Sequence, residues 1–199
     1  MLEVHTANVR GLRDPRKKGR LKLWLESRRP HIMVLQETHC GPGEESEWQR
    51  FYAACGYSSR WTTASREARG VGILWRLASA QPSQVVYDDE GRWLHVCLSR
   101  HSAALRVVAI YAPTRAAERG GWFSKLALEL GSFHQSDSEQ WLLGGDWNFV
   151  MNSEDRVWMA QSDTHRQRNE PGRWQRNAYS TASMCTMQSQ ATSGYQGAA

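Results

Sequence analysis

Short apolar runs rich in β-branched residues recur along the first three quarters of the chain, separated by amphipathic or turn-forming stretches. Residues 2–7, 32–36, 71–75, 93–98, 105–111 and 141–143 read as strands, most of them apolar throughout, as buried strands are. The clearest helix opens at Asp14-Pro15, where Asp can cap free backbone amides and Pro suits the first turn. Leu21, Trp24 and Leu25 then fall on one face at i, i+3 and i+4, with Arg16, Lys17, Arg20 and Arg28 around the rest, and the helix should end before Pro30. Further helices are expected over 44–54 and 122–133. Alternating strands and helices of this kind pack in layers, and no internal repeat interrupts the pattern.

The pattern stops at Val150. Beyond it Val157 alone represents Val, Ile, Leu and Phe, while Ser, Thr, Gln, Asn and Gly crowd the segment. Such a composition buries too little apolar surface to offset the entropy of ordering. The expected organisation is a folded domain over residues 1–150 and a low-complexity, mostly disordered tail over 151–199. The whole, at 199 residues with 40% hydrophobic and 23% charged residues, fits one globular domain and excludes a fibrous or fully disordered chain. A net charge of +5 leans toward polyanionic partners.

No run approaches the roughly 18 apolar residues of a membrane span, and Glu3 and His5 stand where a secretion signal would be basic and then apolar. The expected setting is intracellular, nuclear or cytoplasmic, with no membrane partner. Cys40, Cys55, Cys97 and Cys185 form no CxxC pair and read as reduced bystanders.

The chemistry gathers at strand ends. The first strand runs into Asn8, the second into Gln36-Glu37, the one ending near residue 111 delivers Tyr111 before Ala112-Pro113, and the last passes Gly144-Gly145 to Asp146 and Asn148. If those ends share a rim, two carboxylates, two amides and a phenol converge there. That set suits a hard divalent cation and a phosphate, because Mg²⁺ takes oxygen ligands and often only one or two protein carboxylates. Glu37 would be the metal ligand. Asp146 would take a proton from, or orient, the attacking water, and Asn8, Asn148 and Tyr111 would hydrogen-bond the phosphoryl oxygens. The reaction class is metal-assisted phosphodiester hydrolysis. Taken singly, each residue also reads as a solvated loop or turn former.

The runs Asn8-Val9-Arg10-Gly11-Leu12, Leu35-Gln36-Glu37-Thr38-His39, Gly70-Val71-Gly72-Ile73-Leu74, Ile110-Tyr111-Ala112-Pro113 and Gly145-Asp146-Trp147-Asn148 resemble, in order and spacing, the endonuclease/exonuclease/phosphatase superfamily. The nearest likeness is to the endonuclease domain of LINE-type non-LTR retrotransposons, and it covers residues 2–150. The resemblance implies an α/β fold, a four-layer sandwich of the deoxyribonuclease-like type with two sheets face to face and helices outside. It implies Mg²⁺ or Mn²⁺ as cofactor and DNA as partner. It assigns Glu37 to the metal, Asn8 to arranging metal and phosphate, Tyr111 and Asn148 to the phosphate, and Asp146 to activating water.

The family also closes its fold with further strands and a terminal Ser-Asp-His run, which this chain does not show. Ser162-Asp163-Thr164-His165 carries an extra Thr and follows Asn148 too closely. The expectation is a truncated or frame-shifted copy, incomplete at the C-terminus, with impaired hydrolysis and an unfinished sheet edge prone to aggregation or to a partner protein. Arg10, Arg13, Lys17 and Lys18, beside Asn8, are candidate contacts to a DNA backbone, against the plainer reading of a solvated helix face. Arg166, Arg168, Arg173, Trp174 and Arg176 mix basic and aromatic character as single-strand binders do. Two other readings stand beside the endonuclease: a non-catalytic remnant that at most binds nucleic acid or a partner, and a member of the same superfamily acting on abasic DNA, RNA or a phosphoinositide. A Walker-type nucleotide site is excluded because no GxxxxGK[ST] run occurs.

Overall fold

The computed structural model describes residues 2–63, 69–100, 103–133, 139–149 and 182–187. Its elements follow as β1 (Val4–Asn8), α1 (Pro15–Arg28), β2 (Ile32–Gln36), α2 (Glu45–Ala53), β3 (Ser58–Trp61), β4 (Val71–Trp75), β5 (Gln81–Tyr87), β6 (Trp93–Arg100), β7 (Ala103–Tyr111), α3 (Ala116–Gly131), β8 (Gln140–Asp146) and β9 (Ala182–Met187). One sheet has the order β1-β2-β4-β3 and the other β5-β6-β7-β8-β9. Within them β1/β2 and β7/β8 run parallel and the other pairs antiparallel.

The continuous apolar runs are explained by what lies on each side. In β2, Ile32 and Val34 enter a core shared by the two sheets with Val71, Ile73, Leu94, Val96, Val107 and Leu142. Met33 and Leu35 point the other way, onto Leu21 and Leu25 of α1 and Trp48 and Tyr52 of α2. β7 repeats the scheme, with Val107 and Ala109 between the sheets and Val108 and Ile110 packed with Leu126 and Leu130 of α3. The result is four layers, helices outside and two sheets inside. Ile73, fully buried in the middle layer, should cost about 2–5 kcal/mol if cut to Ala.

Helix α1 starts as its sequence dictates: the Asp14 side chain accepts the Arg16 N–H at 2.8 Å and Pro15 holds the first position, a cap worth about 1 kcal/mol. Helix α3 starts six residues earlier than the 122–133 expectation, because tertiary packing overrides the weak propensity of Gly120-Gly121. β8 runs through Gly144-Gly145 to Asp146, past the strand end expected at residue 143. β3 and β5 are additional strands; β5 is a half-exposed edge that carries Pro82 and a bulge at Pro82/Gln84, features that discourage edge pairing.

Within the segment expected to be mostly disordered, six residues form a strand. β9 pairs antiparallel with β8 from Trp141↔Met187 to Asp146↔Ala182, so β8 is not a sheet edge. Ser162 to His165 and the Arg/Trp group at 166–176 lie outside the described residues. Cys40, Cys55 and Cys97 are free thiols. Among the described residues no helix is long and apolar enough to cross a membrane.

Candidate active site

The two parallel strand pairs set the site. Their last register partners are Asn8↔Gln36 in one sheet and Tyr111↔Asp146 in the other, and β1 packs against β8 across the sandwich. Asn8, Glu37, Tyr111 and Asp146 therefore meet at one rim. The Asn8 Nδ2 donates to Glu37 Oε1 at 2.8 Å and to Asp146 Oδ2 at 3.2 Å, joining carboxylates that belong to different sheets. Its Oδ1 accepts the Arg10 N–H at 3.1 Å, which fixes the amide plane.

The backbone around these groups is strained. Glu37 (φ 52°), His39 (φ 59°), Arg10 (φ 49°), Arg69 (φ 70°) and Asn148 (φ 51°) are all left-handed, a conformation that persists only where surrounding contacts enforce it. Those contacts are visible: the Gly11 N–H bonds Glu37 O at 2.6 Å, Leu12 N–H bonds Thr38 O at 2.9 Å, and Thr38 and His39 bond the Gly70 and Arg69 carbonyls. Gly145 admits no side chain, because a Cβ would fall onto the Ile110 carbonyl. That close approach draws Asp146 alongside Tyr111. Asn148 is pinned by its N–H to Asp146 Oδ1 at 3.0 Å and by its Nδ2 to Ala112 O at 2.7 Å.

Burial pushes the Tyr111 phenol up to about 12, and the negative charge of Glu37, a hydrogen bond to Glu37, and Asp146 add to this. Tyr111 is thus a neutral donor at any physiological pH. Neither Glu37 nor Asp146 makes an ion pair among the described residues. The donor set is all oxygen and amide, with two carboxylates that form no ion pair among the described residues, which fits a hard divalent ion.

A sequence profile described as the Endonuclease/Exonuclease/phosphatase family matches residues 5–188. The chain belongs to the endonuclease/exonuclease/phosphatase family. The match runs past Val150, where the motif resemblance stops, and takes in β9. Over 158 residues the chain is 24% identical to the uncharacterized 149 kDa protein of transposon TX1 from Xenopus laevis, covering 78% of this chain and 12% of that protein. Among solved structures it is similar to an AP endonuclease from Archaeoglobus fulgidus, with a TM-score of 0.64 and 20% identity over 78% of this chain and 60% of that one. It is also similar to a 3′ phosphatase from Neisseria bound to a product DNA hairpin, with a TM-score of 0.60 and 17% identity over 78% and 61%. The chain spans about three fifths of these solved proteins and 12% of the transposon protein. At such identities the structures establish the fold, a deoxyribonuclease-like α/β sandwich.

In this member of the endonuclease/exonuclease/phosphatase family the basic residues beside Asn8 are placed unequally. Arg10 is exposed next to the rim. Lys17 donates to the Arg10 carbonyl at 2.6 Å. Arg13, ahead of α1, pairs with Glu44 at the cap of α2 at 2.8 Å, and Lys18 pairs with Glu47 at 3.1 Å with its ammonium 4.7 Å from the Trp48 ring centroid, so Lys18 ties α1 to α2. Sequence reasoning missed Arg92, whose guanidinium lies 6.0 Å from the Tyr111 ring centroid and whose Nε meets Glu90 at 3.0 Å. Arg69 shares the same Glu90 oxygen at 3.0 Å. Asp88 to Arg92 reads only as a turn, so nothing local points to the site.

Proposed function

We propose that the chain hydrolyses phosphodiester bonds in DNA, as an endonuclease of the non-LTR retrotransposon kind that uses Mg²⁺ or Mn²⁺. The observation that carries this reading is the Asn8 amide bonded to Glu37 and Asp146 at once. It gathers two uncompensated carboxylates beside a neutral phenol and a pinned Asn, an arrangement with no structural need in a fold already held by three apolar clusters. Glu37 would hold the metal, which when bound supplies charge neutralisation at the phosphoryl oxygens and favours formation of the nucleophile.

The chain's own groups do the rest. Asp146 accepts a proton from the attacking water, whose oxygen forms the new P–O bond as the bond to the leaving sugar oxygen breaks and that oxygen takes a proton from solvent. Tyr111, kept protonated, and Asn148 donate to the phosphoryl oxygens as charge builds on them. Asn8 acts through the carboxylates as a positioning residue, since both ends of its amide are engaged. Arg10, and more weakly Lys17, Arg13 and Lys18, would contribute to DNA backbone attraction. The likeness to a transposon protein supports DNA over a lipid headgroup as substrate.

The test is nicking of supercoiled plasmid by the purified chain with Mg²⁺, with chelator, and with Glu37→Ala. Metal-dependent nicking lost in the variant is expected. DNA binding by a folded sample with no nicking would replace this reading with a binding module.

A further inference from the structure

Among the described residues the exposed large apolar side chains are Leu2, Leu23, Tyr87, Leu128 and Phe149. Phe149 differs from the rest in lying one residue beyond the candidate site in sequence and in meeting another aromatic ring. It directly follows Asn148, is 46% exposed, and meets the Phe123 ring edge-on with centroids 5.9 Å apart. Phe123 in turn stacks on Trp147 at 5.9 Å and 28°, and meets Trp122 edge-on at 5.2 Å. Trp122, Phe123 and Trp147 are half-buried against the α3 core, whereas Phe149 adds nothing to that core. Its ring is an extension of an aromatic surface into water.

The site itself determines where this surface lies. Asn148 is anchored at both its backbone and its side chain, and its two aromatic neighbours both reach Phe123. One peptide separates Phe149 from the residue assigned to the phosphate, and one sugar separates a nucleobase from its phosphate. Just before these rings, Arg115 stands at the cap of α3 and Arg119 in its first turn. Arg115 is exposed and paired with Glu118 at 3.3 Å, and Arg119 donates to the Thr114 carbonyl. Aromatic faces beside basic residues are the chemistry that binds single strands, because every base has a π face. A fully paired duplex offers no such face along its length.

We propose that Phe149, backed by Phe123 and Trp147, is a stacking platform for an unpaired nucleobase in the strand whose phosphate lies at Asn148. This rests on the phosphodiesterase reading of the rim and narrows its substrate to nucleic acid with a locally unstacked base.

Binding of the full chain to a labelled single-stranded oligonucleotide and to a blunt-ended, fully paired duplex, both by fluorescence anisotropy in chelator, tests it. Phe149→Ala should weaken single-strand binding roughly 5- to 150-fold, with duplex binding changed less than about twofold. Phe149→Trp should keep the affinity, and Phe149→Leu, apolar but without a π face, should lose it as Ala does; the Leu variant decides should Ala fail to fold. Equal losses on both ligands, no loss, retention by Leu, or a change only in self-association would overturn the platform. Turnover of bis(4-nitrophenyl) phosphate by the unmodified chain separates the two claims. Hydrolysis without strand binding removes the platform and leaves the phosphodiesterase, while Phe149-dependent strand binding without hydrolysis supports the platform and removes the enzyme.

Discussion

Strands β7 and β8 carry a cluster of buried polar charge toward each end, and the two clusters are built on opposite principles. Toward the start, Arg106, 2% exposed, meets Glu139 through two bonds of 2.8 and 2.7 Å, with Gln84 on its Nη1 at 3.0 Å and the Trp141 ring 5.4 Å away. At the far end, the donors to Glu37 and Asp146 among the described residues are neutral: the Asn8 amide, the Tyr111 phenol and the Asn148 backbone N–H. The first cluster is closed, because opposite charges in fork geometry satisfy one another and leave nothing to bind. The second holds like charges together, and in the proposed reading a cation from outside completes it. In the proposed reading the uncompensated charge serves function, and the paired charge serves structure.

Mutation should separate the two. The largest effect is expected at the open cluster: Glu37→Ala should cut nicking by about 10²–10⁴-fold or more, with the thermal midpoint unchanged or raised, since a like charge is removed. Next, Arg106→Ala should cost about 3–5 kcal/mol of stability by stranding Glu139, read by denaturant unfolding, with nicking per folded molecule unaltered. A variant of either cluster that showed the other's signature would break the comparison.

The closed cluster should also govern acid stability. Burial, then the Arg106 charge, hold His95 down to about 4 from 6.5, with Glu139 opposing. Its ring stacks on Phe133 and Trp141, and its Nε2 lies 3.4 Å from Arg106. Because the folded value lies below the unfolded one, the unfolded chain binds the proton first. The contribution is complete above about pH 6.5 and is lost as pH falls toward about 4. Melting at stepped pH should show that loss, and His95→Gln should flatten it. The smallest effect is expected at Arg10: Ala there should weaken DNA binding a few-fold and lower the salt slope by about one.

The open cluster was more legible in the sequence than the closed one. Asn8, Glu37, Tyr111 and Asp146 each end a run whose apolar residues face two cores, so a rim follows from strand direction alone. Arg106, inside the Leu105 to Tyr111 run, and Glu139, in a polar stretch, gave no sign that they meet, because that contact depends on the parallel β7/β8 register. β3 and β5 escaped notice for a related reason. Ser58 to Trp61 is four residues long and Gln81 to Tyr87 is polar and half-exposed, so neither carries a buried-strand signature. β9 lies in a segment whose composition gives no apolar run, and its pairing is made by backbone groups against β8. Arg69, Glu90 and Arg92 reach the site from turns, whose placement only the assembled sheets determine.

The most direct test of the central claim is the thermal midpoint of the full chain titrated with Mn²⁺, for the unmodified protein and for Glu37→Gln. A cation that binds only the folded state raises the midpoint with concentration. The account predicts a rise for the unmodified chain, and for Glu37→Gln a metal-free midpoint at least as high that no longer responds to Mn²⁺. An equal rise in both, or none in either, would contradict it.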